Sequence, residues 1–207
     1  STCAPFDRPL IAEKSNRRPL RLPVLILYRS LRNNRPCTAI VEPSASQKHL
    51  IFDHMYYGVS FGHINTPLPY SLNAILNTKL TLYMAFMLSS SLGWERGVIE
   101  PNDWMKIPLP ASIVCSESNS LWDSIHEMEN WLRQNWQPDV SDSQATRIIE
   151  TENRLSSLVY ELYGLSYQEI ALVEDTIKYT VIPFLRRADS TATLPPTSDQ
   201  LVTYAEL

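Results

Sequence analysis

Glycine is scarce, at 5 of 207 residues, while proline is abundant, at 15. Flexible loops that wrap phosphate are therefore few and the turns are stiff. Neither G-x-x-x-x-G-K-[ST] nor G-x-G-x-x-G occurs, which excludes the two common glycine-rich nucleotide cradles. Cysteine is limited to Cys3, Cys37 and Cys115, odd in number, far apart and without C-x-x-C spacing. A disulfide framework and a cysteine-rich zinc site both drop out. The longest apolar run, Leu80 to Leu88 interrupted by Thr81, is far short of a membrane span, and no charged-then-apolar signal segment opens the chain. The expectation is a soluble, cytoplasmic protein without a membrane partner.

What is present is enough apolar material, 44% of residues, for a substantial core. The net charge of −4 is unevenly spread. Residues 1–48 carry nine Lys/Arg against three acids, a net of +6, and the remainder carries nine against nineteen, a net of −10. The basic part suits a polyanionic partner and the acidic part does not.

Residues 1–20 show no periodicity, contain Pro5, Pro9 and Pro19, and read as an irregular leader or the cut end of something longer. Short β-rich runs follow at 22–28, 37–42, 49–53 and 56–61, joined by polar connectors, and predict a small, mostly antiparallel sheet. From Ser71 the period becomes helical: Leu72, Ile75, Leu76, Leu80, Met84 and Met87 predict one helix, buried on several faces and ending near Ser89-Ser90-Ser91 with Gly93 as a stop. MKIPLP at 105–110 reads as an edge strand or a connector. Leu121, Ile125, Met128, Leu132 and Trp136 stripe a helix that starts near Ser118 or Ser120, and Ile148, Leu155, Val159 and Leu162 stripe a second. Gly164 is placed for a left-handed cap, and Ser166 with Glu169 forms a capping box for a third. The fold class is therefore α+β: a sheet domain with a buried helix over 1–110, an antiparallel helical module over 111–187, and a tail over 188–207.

Few side chains form a chemical constellation. His49, Asp53, His54 and His63 are metal-ligand types, but on a strand His49 and Asp53 face one side and His54 the other, with His63 beyond a turn, and polar strand ends are the plainer reading. Ser89, Ser90 and Ser91 lack a G-x-S-x-G elbow and read as a helix end. Glu95 beside Arg96 suits a loop-holding hydrogen bond. Arg29, Arg32, Asn33, Asn34 and Arg35 cluster at a strand end, with Lys48 near the next, and guanidinium with amide groups is the chemistry that contacts phosphates and purine edges. A solvated turn is the alternative. Tyr56-Tyr57 suits stacking on an extruded base, or a place in the core.

SLNAILNTKLTLYMAFMLSSSLGWERGVIEPNDWMKIPLP (71–110) resembles the target-recognition region of DNA adenine methyltransferases of restriction-modification systems, including those with a TaqI-like specificity domain. The carrying features are the Asn-containing helix, the Ser-rich turn before Glu95-Arg96 and the closing IPLP. LSSLVYELYGLSYQEIALVEDTIKYTVIPFLRR (155–187) is similar to the helical module that follows in such enzymes, and residues 22–61 resemble their strands more loosely.

The resemblance implies a two-part enzyme. One part binds S-adenosylmethionine and methylates a flipped adenine with an Asn/Asp-Pro-Pro-aromatic tetrad; the other reads duplex DNA. This sequence matches only the reading part, since LPPT at 194–197 has the two prolines without the flanking amide and aromatic groups. No catalytic residue and no cofactor is expected in this chain. The partners implied are double-stranded DNA and a methyltransferase catalytic domain, and the DNA-contacting residues implied are Arg29, Arg32, Asn33, Arg35, Lys48, Ser89, Ser91, Trp94 and Arg96. The competing readings are a helical module that assembles a defence complex without reading bases, and a nuclease, for which no D-x(n)-E-x-K arrangement stands out.

Overall fold

In a computed structural model, the residues described are 11–12, 20–31, 36–43, 49–51, 55–61, 67–89, 98–113, 120–136 and 141–186. The sheet is built as the alternation predicts. Strands β1 (Ile11–Ala12), β3 (Val24–Tyr28), β4 (Thr38–Val41) and β6 (Tyr56–Ser60) lie in the order β1-β6-β3-β4, every pairing antiparallel, and β2 (Leu20–Arg21) pairs with β5 (His49–Leu50) in a separate ribbon. Leu25 and Leu27 of β3, with Tyr57 and Val59 of β6, face the helices and are almost fully buried. Each such side chain contributes about 2 kcal/mol through the apolar area removed from water.

The single helix expected from Ser71 to Met87 is two: α1 (Leu68–Leu76) and α2 (Lys79–Leu88). The break is made by side chains that compete for helical carbonyls. The amide Nδ2 of Asn77 donates to Asn73 O at 3.0 Å, and Thr78 and Thr81 hydroxyls both donate to Ile75 O, at 2.7 and 2.8 Å. Thr78 then takes an extended backbone, and the chain restarts as α2. Apolar spacing carries no trace of this, because α1 and α2 are both buried on several faces, as expected. Met87, read into the same stripe, is 59% exposed.

The MKIPLP segment is a connector: a helical turn, α3 (Pro101–Trp104), precedes it and a 3₁₀ turn (Ala111–Ile113) follows. Helix α4 (Ser120–Asn135) starts at one of the expected serines, and its stripe buries Ile125 and Met128. Trp136 lies just past its end and is 53% exposed, so the stripe stops at Leu132. Helix α5 (Asp142–Leu162) packs on α4.

The α5 terminus behaves as read. Gly164 has φ +66°, with Leu165 N–H donating to Tyr160 O and Gly164 N–H to Glu161 O, a Schellman closure. The Ser166–Glu169 capping box then opens α6 (Tyr167–Thr176). That third helix continues through a π turn (Ile177–Val181) into α7 (Ile182–Arg186), where Pro183, lacking an N–H, removes one regular bond. One cluster of buried side chains runs from Leu25 on the sheet to Val181 on the π turn, so the sheet and the helices share a core. No helix among the described residues is long and apolar enough to cross a membrane.

A buried polar seam seats α1 between the sheet and α4. Thr38 N–H donates to Asn77 Oδ1 at 2.9 Å and the Thr38 hydroxyl to Asn73 Oδ1 at 2.8 Å; Asn73 Nδ2 in turn donates to Glu129 Oε1 at 2.8 Å. Glu129 is only 3% exposed, and burial pushes its carboxyl above the ordinary range. Arg133 lies 3.6 Å from Glu129 and bonds Glu42 at 3.0 Å, while Tyr70 donates to Glu42 at 2.6 Å. Burial and Glu42 together push the Tyr70 phenol up to about 12. The seam is satisfied in full at its buried end, which is what such a network requires to stabilise a fold.

Candidate nucleic-acid interface

Two of the nine nominated DNA-contacting residues, Arg29 and Ser89, fall within the described residues. Arg32, Asn33, Arg35, Lys48, Ser91, Trp94 and Arg96 lie outside them, as do Asp53, His54, His63, Glu95, the tail and residues 1–10 and 13–19 of the leader, whose Ile11–Ala12 pairs with β6 as a strand where an irregular segment was expected. The structure nonetheless shows how the flanks of the two nominated segments are related.

Arg29 immediately follows β3, on the side that faces the helices. Its guanidinium bonds Glu100 Oε1 at 2.6 Å, and the Tyr57 hydroxyl donates to Glu100 Oε2 at 2.9 Å. The hydrogen bond from Arg29 holds the Glu100 carboxyl below its ordinary value, and the same bond raises Arg29. The backbone is tied as well: Ile99 N–H donates to Arg29 O at 2.9 Å, and Ser30 and Val98 form an isolated antiparallel bridge. The near flank of segment 32–35 is thus bonded to the far flank of segment 90–97.

The other end of segment 90–97 is held from the same place. Ser89 caps α2, and its hydroxyl donates to Asp103 Oδ2 at 2.7 Å. Asp103 is 3% exposed and accepts from the Glu100 N–H at 3.3 Å, while Lys106 pairs with its other oxygen at 3.3 Å. The short stretch 98–106 therefore fastens both ends of the Ser-rich segment and one end of the basic one. Chemically this is a hydrogen-bonded frame joining the flanks of the two segments.

Arg29 and Ser89 are both hydrogen-bonded within this frame. Glu100 and Asp103 were not singled out from the sequence. The string Glu100-Pro101-Asn102-Asp103 did carry a signal, since an acidic residue three positions after the start with proline first inside is a helix-start pattern. Tyr57 is 6% exposed and belongs to the core, whereas its neighbour Tyr56 is 40% exposed. Of the imagined metal ligands, His49 is placed on β5; among the described residues no group of three or more His, Cys, Asp or Glu could hold a metal ion. No protein-family model matches the chain, and no curated protein matches it.

Proposed function

We propose that this chain is the DNA-reading part of a DNA adenine methyltransferase of the restriction-modification or phage-defence type. It holds duplex DNA for a catalytic domain that binds S-adenosylmethionine. The observation that carries the reading is the shared frame at 98–106: the basic segment with Arg32, Asn33 and Arg35 and the segment with Ser91, Trp94 and Arg96 spring from residues bonded to one another. The +6 charge of residues 1–48 supports it, as does the resemblance of 71–110 and 155–187. Separation of reading from chemistry is physically sensible, because flipping a base requires the duplex to be gripped away from the catalytic pocket.

The test is a titration of the whole chain with duplexes at several salt concentrations. Affinity that falls linearly in log–log form with salt supports the reading. No duplex binding at low salt, by this chain alone and when combined with a catalytic domain, overturns it.

A second reading, assembly with another protein through the helices, is favoured by Tyr167, Leu172 and Tyr179, which are 83%, 58% and 65% exposed. Mass in solution with and without candidate subunits separates it from DNA reading.

A further inference from the structure

The two faces of the sheet differ. Alternation turns Leu25, Leu27, Tyr57 and Val59 toward the helices, and puts Val24, Ile26, Tyr28 and Tyr56 on the opposite face. At one end that face is closed, with Val24 fully buried; at the other it is open, with Tyr56 40% exposed. Tyr28 and Tyr56 are register partners across β3 and β6. Since the next pair bonds through Arg29 N–H to Met55 O, they occupy a non-hydrogen-bonded position, where side chains approach most closely. Their rings stand 5.2 Å apart between centroids at 43°.

We propose that the Tyr28–Tyr56 pair is a stacking platform for an unstacked base of the bound nucleic acid. The inference rests on the DNA-reading function above and names how one part of the ligand is held. Three observations choose this occupant. The aromatic surface is presented at a sheet end, on the face turned away from the core. The strand that carries Tyr28 runs directly into the segment with Arg32, Asn33, Asn34 and Arg35, in the half of the chain that carries +6. Arg29, between them, is turned to the other face and paired with Glu100, so the cations that the sequence leaves for a ligand after this strand are Arg32 and Arg35. A ligand that is anionic along its backbone and flat at its side groups satisfies both features, and stacking on aromatics works for any base.

The experiment uses the full chain and two duplexes that differ by a single unpaired aminopurine, a fluorescent adenine analogue. The proposal expects tighter binding to the bulged duplex and quenching of the analogue at saturation. Tyr28→Leu and Tyr56→Leu should each lower affinity for the bulged duplex by roughly tenfold, with binding to the perfect duplex little changed, and Tyr56→Phe should behave as wild type. Unquenched aminopurine in the saturated wild-type complex overturns the platform whether or not the leucine variants fold. Wild-type affinity in folded leucine variants overturns it too, and both results leave duplex reading standing. Failure to bind either duplex at low salt, by the chain alone and with a catalytic domain added, overturns the reading and the platform together.

Discussion

Two carboxylates, Glu129 and Glu100, each tie a helical element to the sheet side of the molecule, and their environments push them in opposite directions. Glu129 is buried with an amide donor, and its carboxyl is raised by burial. Glu100 is paired at 2.6 Å with a guanidinium, its side chain 41% exposed, and is lowered by that bond. The contrast separates two uses of a polar cluster. The seam around Glu129 places α1 against the sheet and α4, and it carries stability. The frame around Glu100 and Asp103 bonds the flanks of segments 32–35 and 90–97 to one another.

The largest expected effect is at the seam. Glu129→Ala leaves the buried Asn73 amide without its acceptor and opens a void, costing about 2–4 kcal/mol in urea unfolding. Glu129→Gln keeps the acceptor and should stay within about 1 kcal/mol of wild type at neutral pH. Gly164→Ala, remote from both clusters, serves as a reference: open space surrounds the added methyl, so its cost of about 1 kcal/mol comes from φ +66° alone. The smallest effect is at the frame, where solvent screening should hold Glu100→Gln below about 1 kcal/mol.

The pH profiles sharpen the same contrast. A raised folded-state carboxyl contributes stability that is present below the unfolded value, ordinarily 4.5, and is lost as pH climbs through the folded one. Wild type should therefore lose ground to Glu129→Gln as pH rises above that point. Glu100, being lowered, behaves inversely: its contribution is present above the unfolded value and disappears as acid titrates the folded carboxyl. Wild type should lose its advantage over Glu100→Gln on acidification. Parallel curves in either comparison would remove the assignment for that residue.

The difference between the clusters also explains what could be read in advance. Periodicity and caps are local, so β3, β4, β6, α4, α5 and the Gly164 and Ser166 signals were legible. The break at Asn77–Thr78 was not, because it depends on which carbonyls the Asn77, Thr78 and Thr81 side chains take and on Thr38 bonding Asn77 from the sheet, while an apolar stripe continues across it. Trp136 and Met87 fit a helical period but lie at helix ends, where packing partners run out. At the candidate interface, residue chemistry pointed to Arg29 and the resemblance to Ser89 as contacts, while the fold bonds them to Glu100 and Asp103, acids whose meaning appears only once the two flanks meet. The seam itself left one trace, a glutamate at 129 beside the apolar stripe of α4, and only burial gives it significance.

The most direct test of the loop-presenting frame takes one cation from each segment. The salt dependence of duplex affinity should be measured for Arg35→Ala/Arg96→Ala against wild type, with unfolding free energy monitored in parallel. Presentation of both segments to phosphate predicts unchanged stability and a log–log slope shallower by about two; a slope identical to wild type, in a variant that is equally stable, would contradict it.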